Sequence, residues 1–234
     1  MSVRPGGAIS TRPLHFIWIL DCSGSMSVDG KIQTLNHAIR ETIPHMQDVA
    51  DENPNAEVLV RAIKFSSGAQ WCISRPTPIA DFQWADLTTA GVTDMGKAFA
   101  MVADQMKIPP MSDRALPPVL VLISDGQPTD DYMAGIRALM SQPWGKKAVR
   151  IAISIGGDTD EEVLQRFIGH SEIKPLQANN PEALVRHIKW VSTTVLKSAS
   201  SPASQTEETP TVGINVPIPV PTDNGGLDSA ADVW

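Results

Sequence analysis

The sequence has few cysteines, no cluster of positive charge and no long apolar run, and each of these shortages excludes a class of protein. The two cysteines, Cys22 and Cys72, are too few for a framework of disulfide bonds. The net charge is −7 and no stretch is rich in Lys or Arg, which argues against a nucleic-acid partner. The longest apolar runs have the length of a β-strand, too short to cross a membrane. We therefore expect neither nucleic acid nor membrane as a partner.

The composition predicts one well-packed domain. Hydrophobic residues make up 42% of the 234 residues, enough for one good-sized core. The segment Met1–Pro13 lacks the apolar core of a secretion signal, and we interpret it as a short N-terminal extension. Together with the scarcity of cysteine, this predicts a cytoplasmic location.

Apolar runs of strand length alternate with stretches in which apolar residues recur every three or four positions. Leu14–Leu20 is almost uninterrupted, which is typical of a strand in the middle of a parallel sheet. A helical stripe follows it, in which Pro44 predicts a kink or an end. The members of this stripe are Ile32, Leu35, Ile39, Ile43, Met46 and Ala50. Glu57–Phe65 and Ala69–Ile73 then predict an antiparallel hairpin.

The same alternation continues through the strands Val119–Ser124 and Val149–Ile155 and the helix Asp130–Met140, with Asp130 as its N-cap. Strands alternating with helices predict an α/β fold with a doubly wound, mostly parallel sheet that has one antiparallel edge strand. Residues 14–197 would form this domain. Residues 198–234 are rich in Ser, Thr and Pro and predict a flexible tail. Within this tail, Val212–Pro221 predicts either strand addition to a sheet edge, a polyproline II ligand or a solvated segment.

Polar residues follow two of the predicted strands directly. Asp21, Ser23 and Ser25 are spaced by two after Leu14–Leu20, so they can project to one side of the chain. Asp125 follows Val119–Ser124, and ligands of such sheets bind at the carboxyl ends of strands. Oxygen ligands favour a hard cation such as Mg²⁺, Mn²⁺ or Ca²⁺. The alternative for the first loop is a turn in which Asp or Ser caps the next helix.

Three segments together resemble the metal-ion-dependent adhesion site of the von Willebrand factor A domain. They are Asp21-x-Ser23-x-Ser25, Thr93 within Gly91-Val92-Thr93-Asp94, and Asp125 within Ser124-Asp125-Gly126. The resemblance covers roughly residues 14–197. It implies that Ser23 and Ser25 bind a cation directly and that Thr93 binds directly or through water. Asp21 and Asp125 would orient waters and hydroxyls. It also implies Mg²⁺ as the cofactor, with Mn²⁺ or Ca²⁺ as alternatives, and an open position for a partner's Asp or Glu.

The segment Asp125–Asp131, with Asp81-Phe82, resembles the bacterial TerY-like branch of that family, which is associated with tellurite resistance. This resemblance implies a non-enzymatic adaptor in a stress or conflict pathway, with Ser/Thr kinase-like and PP2C-type phosphatase proteins as partners. One alternative is a Mg²⁺-dependent phosphohydrolase with Asp21 as nucleophile, although Ser23 stands where the haloacid dehalogenase pattern has a second Asp. Another is a scaffold with a vestigial metal site.

Overall fold

The structure, a computed structural model, describes residues 11–200 apart from residues 54 and 158. A six-stranded sheet has the spatial order β3-β2-β1-β4-β5-β6. Its strands are β1 (Arg12–Asp21), β2 (Ala56–Ser66), β3 (Gly68–Pro78), β4 (Val119–Ser124), β5 (Val149–Ile155) and β6 (Leu176–Ala178). The helices are α1 (Lys31–Glu52), α2 (Met95–Gln105), α3 (Tyr132–Ser141), α4 (Pro143–Lys147), α5 (Glu161–Ile168), α6 (Pro181–Trp190) and α7 (Leu196–Ser200).

The pairing of the strands confirms the predicted fold class. β1 lies between β2 and β4 and is parallel to both, while β3 pairs with β2 in an antiparallel hairpin at one edge. β4, β5 and β6 continue the sheet in parallel. Because β1 and β4 are direct neighbours, the loops that follow them meet at the same end of the sheet.

Two hydrophobic clusters cover the two faces of the sheet. On one face, Leu14, Phe16 and Trp18 of β1 pack in a cluster with buried residues of α1 and α6. On the other face, Ile17 and Ile19 pack in a cluster with residues of α2, α3 and α5. This is why β1 reads as a continuous apolar run: its alternating side chains are buried on both sides.

The prediction that Pro44 could end the first helix is wrong, because α1 continues to Glu52. Pro44 lies on an exposed part of α1, whereas Leu35, Ile39 and Met46 are buried in the core. The carbonyl of Arg40 that loses its i+4 donor therefore lies on a face that water can reach, and burial of the other face holds the helix together.

The last helical segment extends beyond the predicted domain end. α6 passes through a π-helical turn, Val191–Val195, into α7, which ends at Ser200. One apolar face of this segment is buried in the core; its members are Leu184, Ile188, Val191 and Val195. The N-terminal extension up to residue 10 and the tail from residue 201, including Val212–Pro221, lie outside the described residues. Within the part of the chain that the structure describes, no helix has both the length and the apolar composition to cross a bilayer.

Candidate metal centre

The ends of β1 and β4 bring the predicted site residues of their two loops together. Asp21 is the last residue of β1, and Asp125 directly follows β4. The Ser25 hydroxyl donates to Asp125 Oδ1 at 2.7 Å, and the Ser23 and Ser25 hydroxyl oxygens lie 3.0 Å apart. These contacts are possible because β1 and β4 are neighbouring parallel strands.

Asp21 is fully buried, and the protein supplies a donor for each of its oxygens. The Ser23 amide donates to Oδ1 at 2.8 Å, and the Ser124 hydroxyl donates to Oδ2 at 2.6 Å. Burial, with a smaller contribution from the nearby Asp125 charge, raises the pKa of Asp21 to about 6 despite the lowering effect of these hydrogen bonds. Because both of its oxygens accept hydrogen bonds, Asp21 is placed to orient Ser23 and Ser124.

Thr93 lies in the loop before α2, and backbone hydrogen bonds tie this loop to the one after β1. The Ala90 amide donates to the Cys22 carbonyl at 2.8 Å, and the Gly24 amide donates to the Gly91 carbonyl at 3.0 Å. Thr93 itself is 6% exposed. The third predicted segment therefore joins the other two as a fixed part of the same site.

The oxygens of the three loops surround a space beside Gly126, where the absence of a side chain leaves room. A Cβ atom built on Gly126 would lie 3.5 Å from Thr93 Oγ1, 3.7 Å from Asp21 Oδ2 and 3.8 Å from Ser25 Oγ. Three hydroxyls and two carboxylates therefore converge there, without sulfur or imidazole. This set of donors suits a hard divalent cation, so the residues present fit the predicted metal.

Among the residues described, no group of three or more His, Cys, Asp and Glu side chains could hold a metal ion. The site beside Gly126 is of a different kind, because hydroxyls outnumber carboxylates in it. A separate open groove of about 690 Å³ lies between α1 and α6 and is lined by residues such as His37, Glu41 and Arg186. None of the five predicted site residues lines this groove.

Lys31, the first residue of α1, contacts the site and was not predicted. Its Nζ lies 2.9 Å from Asp125 Oδ2, and the two side chains are 12% and 0% exposed. Asp29 and Gly30, at φ 51° and 73°, turn the chain into α1 just before it. No spacing rule relates Lys31 to Asp125, which is 94 positions away.

A second network holds the Thr93 loop against the loop after β4. The Thr93 amide donates to Thr129 Oγ1 at 3.1 Å, and the Thr129 amide donates to the Thr93 carbonyl at 2.9 Å. Asp94 accepts from the Gly68 amide and from Lys97 Nζ, both at 2.7 Å. Lys97 and these hydrogen bonds lower the pKa of Asp94. The Thr129 hydroxyl also donates to Asp94 Oδ1 at 3.3 Å, so Asp94 connects its own loop with the β2–β3 turn and with the loop after β4.

The prediction that Asp130 is the N-cap of its own helix is wrong. Asp131 caps α3 by accepting from the Ala134 amide, whereas Asp130 accepts from the Gly96 and Lys97 amides at the start of α2. This exchange requires a close approach of α2 and α3. A Cβ on Gly96 would lie 2.6 Å from the Asp131 carbonyl oxygen, so glycine permits the contact.

The comparisons with known proteins identify the family and the fold of the chain. The family model described as the von Willebrand factor type A domain matches residues 17–184, more than half of the chain. A search of curated proteins finds no match. Among solved structures, the von Willebrand factor type A protein from Catenulispora acidiphila is 16% identical with a TM-score of 0.61, over 79% of this chain and 43% of that one.

Two further structures show the same fold at similar identity. The ArnB paralog VWA2 from Sulfolobus acidocaldarius is 19% identical with a TM-score of 0.57, over 77% of this chain and 45% of that one. Proximal thread matrix protein 1 from the mussel byssus, with a zinc-occupied MIDAS motif, is 14% identical with a TM-score of 0.57, over 80% and 46%. The chain thus spans less than half the length of these proteins, and the likeness shows the fold.

Proposed function

We propose, from the premise that this chain belongs to the von Willebrand factor type A domain family, that it binds a partner protein through a divalent cation. Domains of this family commonly mediate protein–protein interactions through a metal-ion-dependent adhesion site. The proposal extends this property to Asp21, Ser23, Ser25, Thr93 and Asp125. The group that the bound cation recognises would be an acidic side chain of the partner.

The convergence of three hydroxyls beside Gly126 is the observation that carries the proposal. Ser23, Ser25 and Thr93 would hold the cation, which we take to be Mg²⁺, with Mn²⁺ or Ca²⁺ as alternatives. When bound there, the cation supplies a positive charge with an open position for a carboxylate. Asp21 and Asp125 orient the hydroxyls: Asp125 accepts from Ser25 Oγ, which leaves the lone pairs of that oxygen available.

A binding role fits the arrangement better than phosphate-ester hydrolysis. As a nucleophile, Asp21 would need a free oxygen for attack and a general acid to protonate the leaving group, whereas its oxygens accept from the Ser23 amide and the Ser124 hydroxyl. Its oxygens are held inside the protein, and Asp21 is 0% exposed. We therefore propose an adaptor without enzymatic activity of its own.

The finer part of the proposal rests on the TerY-like resemblance of Asp125–Asp131. We propose that the adaptor acts in a bacterial stress or conflict pathway in the cytoplasm. Its partners there would be Ser/Thr kinase-like and PP2C-type phosphatase proteins that present Asp or Glu to the cation.

Calorimetry of the full chain with Mg²⁺ and Mn²⁺, followed by binding to candidate partners, tests the function. We expect one divalent site in the wild type and none in Ser23→Ala/Ser25→Ala, since two of the three hydroxyl ligands are lost. Ser141→Ala is the control, because its exposed hydroxyl bonds only within its own helix end, to the Ala138 carbonyl and the Gln142 side chain.

Partner binding should disappear in EDTA and in the double variant but persist in the control. Two outcomes would contradict the proposal. The first is a folded double variant that binds divalent cations as the wild type does. The second is robust metal-dependent hydrolysis of phosphate esters by the purified wild type, which would favour the phosphohydrolase alternative.

A further inference from the structure

Lys31 and Asp125 form an ion pair at the edge of the proposed metal site. The Lys31 ammonium lies 2.9 Å from Asp125 Oδ2, and the Asp125 side chain is 0% exposed. A buried carboxylate without a compensating positive charge is strongly unfavourable. In the metal-free protein, Lys31 therefore provides the counter-charge of Asp125.

Both oxygens of Asp125 are engaged by donors of the chain. Oδ1 accepts from the Ser25 hydroxyl at 2.7 Å, and Oδ2 accepts from Lys31. Ser25 is a proposed metal ligand. Its hydroxyl hydrogen points to Asp125, which leaves the lone pairs of Ser25 Oγ free for a cation. A cation or its waters that approach Asp125 without disturbing Ser25 must therefore share Oδ2 with the Lys31 ammonium.

A divalent cation would also bring a second positive charge close to the ammonium. Two like charges near one carboxylate repel each other, and partial exclusion from water strengthens the repulsion. The Lys31 ammonium belongs to the chain and is always present, so it competes with the cation at a fixed local concentration.

We propose that the Lys31 ammonium and the divalent cation are alternative counter-ions of Asp125, so that Lys31 weakens metal binding by the isolated domain. This inference rests on the proposed metal site. The ion pair keeps the site neutralised when metal is scarce, and the domain stays folded without metal. Occupancy of the site then depends on the free cation concentration.

Titration with Mn²⁺ alone, followed by electron paramagnetic resonance of the free ion at constant ionic strength, measures this competition. We expect Lys31→Met to bind Mn²⁺ at least about tenfold more tightly than the wild type, since a nearby positive charge weakens even proton binding to a carboxylate by about 10- to 1,000-fold. Lys31→Arg keeps the charge and should stay within about threefold of the wild type. Lys107→Met is the control, because it removes one positive charge from an exposed pair with Asp104.

A measurement on the wild type covers the case in which Lys31→Met folds poorly. In EDTA, Lys31 should resist an amine-acylating reagent because its side chain is only 12% exposed and is bound to Asp125. Saturating Mg²⁺ should increase its modification severalfold, as mapped by mass spectrometry. Modification of the half-exposed Lys107 should not change.

The outcomes separate this inference from the proposed function. If the wild type binds Mn²⁺ and Lys31→Met binds it equally or more weakly, the competition is refuted while the metal site stands. If neither protein binds Mn²⁺, both proposals are refuted. If the wild type binds Mg²⁺ and Lys31 stays equally protected, Lys31 remains on Asp125 and the competition is again refuted.

Discussion

The two halves of the metal site place the same kind of residue in contrasting surroundings. Asp21, at the end of β1, receives its hydrogen bonds from uncharged groups, the Ser23 amide and the Ser124 hydroxyl. Asp125, after β4, receives one from Ser25 and one from the Lys31 ammonium. Both carboxylates are buried, but one is compensated by dipoles and the other by a charge.

This difference shows that burial alone does not determine what a carboxylate contributes to stability. Burial without a counter-charge raises the pKa of Asp21 to about 6, so its charge is unfavourable to folding at neutral pH. Asp125 instead forms an ion pair with Lys31. Neutralising Asp125 would leave the Lys31 ammonium without a counter-charge. Neutralising each carboxylate in turn should therefore have different effects.

The largest effect that we expect is the loss of stability in Asp125→Asn measured in EDTA. Removing one partner of a buried ion pair typically costs about 3 kcal/mol or more, because the other charge stays behind. Asp21→Asn should not destabilise the metal-free protein, because the Asn carbonyl can still accept from Ser23 and no counter-ion is stranded. Urea denaturation at pH 7.5 gives both free energies of unfolding.

Asp104→Asn is the control for this comparison, since it breaks an exposed pair with Lys107 and should change stability by less than about 1 kcal/mol. Equal losses of stability in Asp21→Asn and Asp125→Asn would show that the two halves do not differ as described.

His15, near the other end of β1, extends the comparison to a buried basic side chain. Burial and, secondarily, the Arg61 charge lower the pKa of His15 to about 4. The unfolded chain takes up a proton near pH 6.5, whereas the folded protein does so only near pH 4. The contribution of His15 to stability is therefore complete above pH 6.5 and is lost as the pH falls toward 4.

We expect His15 to contribute about 2 kcal/mol to the loss of stability between pH 7 and pH 5. His15→Gln, which cannot titrate, isolates this contribution in parallel urea denaturations at the two pH values. His170→Gln is the matched control, because it makes the same substitution at a partly exposed histidine in the loop after α5. If the difference between wild type and His15→Gln is the same at both pH values, His15 is not held neutral by burial.

A smaller effect should distinguish the two adjacent caps of α2 and α3. Asp130→Ala and Asp131→Ala each remove a cap, and each should cost about 1 kcal/mol of stability. Of these two caps, only Asp130 bonds to the start of α2, which follows Thr93 closely in the chain. Asp130→Ala alone should therefore also weaken Mn²⁺ binding, measured by calorimetry. Equal Mn²⁺ affinities in the two variants would mean that this cap does not position Thr93.

The sequence predicted what depends on strand order and local spacing. Asp21, Ser23 and Ser25 could be assigned to one loop because alternation along β1 and the carboxyl-end rule place them together. Lys31 could not be found in this way, since its contact depends on the left-handed turn at Asp29 and Gly30. Asp130 caps α2 instead of its own helix because α2 and α3 pack closely, and no local sequence pattern predicts that packing.

A crystal structure of the full chain grown with Mn²⁺, with anomalous diffraction recorded for the metal, tests the central claim most directly. The account predicts a single anomalous peak beside Gly126, bound by the hydroxyl oxygens of Ser23 and Ser25, with Thr93 bound directly or through water. An empty site at saturating Mn²⁺, or a peak held only by other residues, would contradict it.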